Sequence, residues 1–182
     1  MSGLYNNPGM NGLLGALMKP PRRKVFVSYH HGGDQAYYDE FSWFFHDQYE
    51  AVRDSSLECI IQSDNTDYVM QKIREQYITG TSCTIVLIGA QSHDRKYLDW
   101  EIKATLDKGH GLVGIALPTH AKNPVGGVIV PDRFLDNHKS GYAVWAHWNE
   151  LTAQKLTQLV DAAIGKPQLL IDNARPRRER NG

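Results

Sequence analysis

Cysteine is nearly absent: Cys59 and Cys83 are the only two in 182 residues, and both sit inside apolar runs. A disulfide framework and a cysteine-rich zinc site are therefore excluded, and two buried thiols fit a reducing compartment. Long hydrophobic runs are missing as well. The longest early apolar stretch, Leu13 to Met18, is broken by Gly15, is too short to span a bilayer, and has no basic region before it to make a signal peptide. The chain reads as soluble and cytoplasmic, with no membrane partner. Net charge is absent too, since twenty Lys and Arg balance twenty Asp and Glu. The balance is uneven along the chain: Lys19, Arg22, Arg23 and Lys24 make the first 24 residues basic. Arg175, Arg177, Arg178 and Arg180 against Glu179 do the same for the end, so the body between carries a net −7. Such a body lacks the clustered basic face that nucleic-acid binding needs.

Several catalytic signatures are also missing. No GxGxxG follows the first strand-like run, and GxxxxGK[ST], GxSxG and HExxH do not occur. A classical dehydrogenase, a P-loop NTPase, a serine hydrolase and a zincin are poor readings. The eight histidines form no tight cluster with cysteine, so no metal site is expected. A phosphoacceptor receiver is disfavoured because the first strand ends in Ser-Tyr-His-His rather than in acidic residues.

What is present is an alternation of strand and helix signals in a chain of one-domain length. Residues 1–22, rich in Gly, Pro and Asn, read as a flexible leader; 23–165 as the folded domain; 166–182 as a basic C-terminal tail. Lys24 to Tyr29 is a β-branched and aromatic run that empties into the polar loop His30 to Asp34. Tyr37, Phe41, Phe44, Phe45 and Tyr49 recur at helical spacing and predict a helix over 36–49. Leu57 to Ile61 is a second strand candidate. Ser63 to Asp67 offers N-cap residues for a helix that Gly80 stops. Cys83 to Gly89 is apolar without alternation, as in a strand covered on both faces at the middle of a parallel sheet. Ser92-His93-Asp94 is expected to cap a helix over 95–108, and Leu112 to Leu117 repeats the buried-strand signature. Residues 119–140 read as a loop, Tyr142 to Trp145 as an edge strand, and 152–164 as a final helix. The pattern predicts an α/β, flavodoxin-like open parallel sheet with helices on both faces.

Ligands in such a sheet bind beyond the carboxyl ends of the strands, which places Ser28 to Asp34, Gln62 to Asn65 and Gly89 to Asp94 at the crevice. The helix over 95–108 starts beside it. Tyr97 and Glu101, four apart, share a face of that helix, and Trp100 lies one position round. A carboxylate beside aromatic rings suits a reacting centre that becomes cationic, such as the ribosyl carbon of a nicotinamide nucleotide, with Tyr or Trp stacking on a base. On spacing alone, a solvated helix glutamate pairing with neighbours such as Arg95 or Lys108 is the simpler account of Glu101. Of His30 and His31, at most one reaches a ligand if both are strand residues.

Three blocks, Val25-Phe26-Val27-Ser28-Tyr29-His30-His31, Cys83 to Gly89 and Tyr97-Leu98-Asp99-Trp100-Glu101-Ile102, together resemble the TIR-like family of Thoeris antiphage defence. The similarity runs over about residues 24–148. It implies a flavodoxin-like TIR fold that cleaves NAD+, as substrate rather than cofactor, at the nicotinamide–ribose bond. It further implies a cyclic ADP-ribose-type product that activates a separate effector protein, and assembly as a homo-oligomer. By position Glu101 matches the catalytic glutamate, and Tyr97 stands where the family usually has Trp. Tyr29 and His30 match loop positions that line the nucleotide site, with Ser92 and Asp64 on neighbouring loops and Trp100 as a further substrate contact. A non-catalytic TIR-type assembly module remains a competing reading. So does a deoxyribosyltransferase-like enzyme, whose carboxylate would be a covalent nucleophile.

Overall fold

A computed structural model describes residues 23–53 and 65–182. The leader, the strand candidate Leu57 to Ile61, Cys59 and Asp64 lie outside the described residues. The chain runs β1 (Arg23–Ser28), α1 (His31–Phe45), β2 (Tyr49–Arg53), α2 (Thr66–Lys72) continued by a π-helical turn (Ile73–Ile78), and β3 (Cys83–Ile88). It continues through α3 (Lys96–Asp107), β4 (Gly111–Ala116), α4 (Asp132–Lys139), β5 (Val144–His147) and α5 (Ala153–Ile164). The five strands form one sheet in the order β2-β1-β3-β4-β5, and every pairing is parallel.

All six residues of β3 and of β4 are buried, as unalternating apolar strands must be when helices cover both sheet faces. Val25, Val27, Ile85, Leu87, Val113 and Ile115 point to one face, where α1 packs Tyr38, Phe41 and Phe45 and α5 packs Leu156, Leu159, Val160 and Ala163. The other face carries α3 and α4. There Leu98, Ile102 and Leu106 meet Val86, Ile88, Leu112 and Phe134. A smaller cluster gathers Phe26, Val69, Met70, Ile73, Ile78, Trp100 and Ala104.

Local chemistry sets several boundaries. Asn65 caps α2, its side chain accepting from Tyr68 N at 3.1 Å, and Thr152 caps α5 by accepting from Lys155 N at 3.1 Å. Gly109, at φ +66°, ends the turn after α3 in a conformation that other residues rarely adopt. Gly114 serves a different purpose, because the Phe134 ring lies directly on its backbone. Gly114→Ala would drive a methyl into that ring. A loss of about 1–3 kcal/mol is expected, read as a lower urea midpoint with unchanged m-value.

Four expectations change. The helix ends at Phe45, and Tyr49 instead opens β2, which pairs with the edge of β1. The aromatic stripe misled because Phe44 is 55% exposed while Tyr49, at 5%, is buried in the core as a strand residue. The β3–α3 connection is a short 3₁₀ turn (Ser92–Asp94), and Arg95 stands at the N-cap of α3 without a side-chain bond. Residues 119–140 are not all loop, since they contain α4, held by a buried Arg133 and Phe134. The edge strand is Val144–His147 rather than Tyr142 to Trp145: Tyr142 and Ala143 both donate their N–H groups to Asn137 O at 2.9 Å and so end the preceding turn.

Residues 166–182 lie along α3 and α4. Asn137 Nδ2 donates to Asp172 O at 2.7 Å, Asp172 N donates back to Asn137 Oδ1 at 3.0 Å, and Arg178 N donates to Asp99 Oδ2 at 2.9 Å. Arg175 pairs with Asp136 and Arg177 with Asp67, so these charges sit in ion pairs rather than wholly in water. Among the described residues no helix is long and apolar enough to cross a membrane.

Candidate active site

Strand order 2-1-3-4-5 places the topological switch between β1 and β3, where the loops leave in opposite directions and open a crevice. Ser28 is the last residue of β1 and points to the α3 side. Glu101, one and a half turns into α3, faces it, and Ser28 Oγ donates a hydrogen bond to Glu101 Oε2. Glu101 is 1% exposed, so the alternative of a solvated glutamate paired with Arg95 or Lys108 does not hold. One turn further along α3, Thr105 Oγ1 donates to Glu101 O at 2.8 Å and lies 2.6 Å from Thr84 Oγ1 on β3. Ser28, Glu101, Thr105 and Thr84 thus form a polar seam between helix and sheet, flanked on each side by apolar clusters. A buried carboxylate is costly unless hydrogen-bonded, and the seam supplies that bonding.

On the other side of the switch point, Tyr29 is buried and stacks on Tyr38 with centroids 4.6 Å apart, its hydroxyl donating to Gln35 Oε1 at 2.9 Å. His30 is neither a strand residue nor exposed; it is the N-cap of α1, its carbonyl accepting from Gly33 N and Asp34 N. His31 begins the helix, so strand alternation does not govern the pair. Ser92 is fully buried. Its hydroxyl accepts from Gly89 N at 2.8 Å and faces both Leu87 O and the Asp34 carboxylate at 3.4–3.5 Å. That capture by Gly89 is why Ser92 does not cap α3.

Tyr97 and Trp100 meet edge to face, with centroids 5.4 Å apart and Lys96 Nζ over both rings. They pack in the Phe26 cluster, and Trp100 Nε1 donates to Arg178 O at 2.8 Å. The structure therefore brings Ser28, Tyr29, His30, Ser92 and Glu101 to the switch point, and sets Tyr97 and Trp100 toward the C-terminal segment.

Sequence reasoning placed Ser28 at the crevice without giving it a role, and passed over Thr84 and Thr105. Their signal was a polar residue at an inward position of an apolar run, and Thr105 stands four after Glu101. Asp34 was likewise placed at the crevice without a role; it is 2% exposed and rests on the backbone of Gly89, where an added Cβ would collide with it. Burial pushes the Asp34 carboxyl above its ordinary 3.8, against the opposing pull of His30, Ser92 and Arg95. A carboxyl raised on folding stabilises most fully below its unfolded value, and that contribution fades as pH rises through the raised value. Asp34→Asn, which cannot ionise, should thus gain stability relative to the parent between pH 4 and pH 7, read from urea unfolding at both. A difference independent of pH would contradict the assignment. Among the described residues no group of three His, Cys, Asp or Glu side chains could hold a metal ion.

A doubly wound parallel sheet with an acidic residue under its β1/β3 switch point defines a flavodoxin-like, TIR-like α/β protein. The family described as the TIR-like domain of the Thoeris protein ThsB matches residues 26–122, just over half of the chain and all of the Ser28–Glu101 pairing. The chain belongs to that family, a TIR-type family of antiphage defence. No curated protein matches it.

Proposed function

We propose that this chain cleaves NAD+ at the nicotinamide–ribose bond and forms a cyclic ADP-ribose-type signal that a separate effector protein senses. The observation that supports the reading most is the Ser28–Glu101 pair: a buried carboxylate at the switch point, with one oxygen held by a hydroxyl. As the C1′–N bond breaks, its electron pair leaves with neutral nicotinamide and positive charge grows on the ribosyl carbon. A carboxylate fixed in a site of low dielectric stabilises that charge without reorganising. Ser28 orients Glu101 through Oε2. Ring closure follows when a nucleophile of the same molecule attacks the ribosyl carbon and loses its proton, provided water is excluded.

Glu101 is 1% exposed, so on this reading substrate reaches it only when the loops at the switch point open. The competing reading, a non-catalytic assembly module, draws on the same shielding, because the polar seam satisfies Glu101 with no substrate. Chromatography of NAD+ incubated with the purified full chain, alone and with lysate of infected cells, separates the two. Nicotinamide and an ADP-ribose isomer are expected in at least the second condition. Intact NAD+ in both, alongside concentration-dependent assembly, would favour the module.

A further inference from the structure

The β3–α3 turn, the start of α4 and residues 175–178 enclose a cavity of about 220 Å³. It lies on the Asp99 side of α3, and residues two apart on a helix diverge by about 200°. The cavity is therefore separate from the Glu101 face, and nothing said of it depends on the NAD+ reading. Four arginines line it, Arg95, Arg175, Arg177 and Arg178, against the carboxylates of Asp99 and Asp132. Asp99 is already engaged by the buried Arg133 guanidinium through both oxygens. Asp132 stands 3.6 Å from Arg175 and 3.9 Å from Arg178, at the outer limit of pairing.

Two atoms in this wall lack the partners that buried polar groups almost always have. Arg95 Nε and His93 Nδ1 are both buried with no hydrogen-bond partner. The Arg95 guanidinium donates to the neutral Gln91 side chain, and His93 places its other nitrogen, Nε2, 3.0 Å from Asp94 Oδ2. Arg178 reaches Asp94 only at 3.5 Å. The start of α4 adds backbone N–H groups, since Pro131 at its N-cap makes no side-chain bond to them. Arg175 and Arg177 are held by Asp136 and Asp67, but among the described residues Arg95 is in no ion pair and Arg178 has only distant ones; these two cations, the two orphaned nitrogens and a helix start converge on one small cavity. Its volume suits an anion of phosphate to diphosphate size.

We propose that this cavity is a phosphoanion site, in which His93, Arg95 and Arg178 hold a phosphate or diphosphate group and clasp the C-terminal segment to the β3–α3 turn. The group is either a free inorganic anion or the diphosphate of a larger nucleotide, and the cavity chemistry is the same for both.

Isothermal titration of the full chain with sodium diphosphate, at constant ionic strength set with sodium chloride, tests the site. Saturable one-site binding is expected, with a matching rise in Tm. Arg95→Gln and Arg178→Gln should each weaken it about tenfold or more, as loss of a charge-assisted hydrogen bond does. Arg23→Gln, outside the cavity, removes the same charge and should leave it unchanged. Circular dichroism establishes that each variant is folded, and His93→Gln serves if either arginine variant is not. Competition between NAD+ and diphosphate in a Glu101→Gln background would identify a nucleotide as the source, and its absence a free anion. Absence of saturable binding, or equal binding by all variants, would overturn the proposal.

Discussion

Glu101→Gln is expected to lower NAD+ cleavage by about 10²–10³-fold while leaving the protein as stable as the parent or more so. The amide keeps the volume of the carboxylate, and its oxygen still accepts from Ser28 Oγ, so the polar seam retains its shape. What disappears is the negative charge opposite a developing cation. Since Glu101 is 1% exposed, a neutral amide is also easier to bury than an anion. Activity and stability should thus move apart. Nicotinamide release, followed by chromatography, measures the first, and thermal unfolding the second. Undiminished cleavage combined with a lower Tm would make Glu101 a structural anchor. A trapped glycosyl adduct on the parent enzyme would instead make it a covalent nucleophile.

Arg133→Met should cost about 3–5 kcal/mol. Arg133 is fully buried. Its Nε donates to Asp99 Oδ1 at 2.8 Å and Nη1 to Asn173 Oδ1 at 2.8 Å, while Nη2 serves Asp99 Oδ2 and Pro176 O. Methionine fills much of the space but strips the buried Asp99 carboxylate of the guanidinium that bonds both its oxygens, and frees residues 173–176. For a chain of this length the Tm should fall by about 10 °C. Trypsin should also cut faster after Arg177 and Arg178, whereas Pro176 protects the bond after Arg175. Adding Asp99→Asn should restore part of the loss, because the stranded charge is then gone, and the double-mutant cycle measures the coupling. A loss below about 1 kcal/mol would show that the pair contributes little to the fold.

These two residues mark the division between what was legible in the chain and what was not. Glu101 was found because it sits four after Tyr97 on a helix whose position beside the crevice follows from the strand before it. Its surroundings were not found: Ser28 and Thr84 look like ordinary polar interruptions of apolar runs until the sheet brings them beneath α3. Arg133 gave no signal at all. Its partner is 34 residues away, and a short helix with one buried aromatic lacks the periodicity that would reveal it. The C-terminal segment, rich in arginine, carries the composition of a solvated tail, and only the carboxylates of α3 and α4 convert it into a bonded element.

Local sequence determined what depends on a residue and its near neighbours: the apolar strands β1, β3 and β4, the caps Asn65 and Thr152, the turn at Gly109, and hence the α/β class. Tertiary structure alone decided β2, α4, the seam beneath Glu101 and the buried Asp99–Arg133 pair. Strand and helix signals are written in periods of two and 3.6 residues, whereas a parallel partner, a buried counter-charge or the burial of a lone carboxylate exists only once distant segments have packed together.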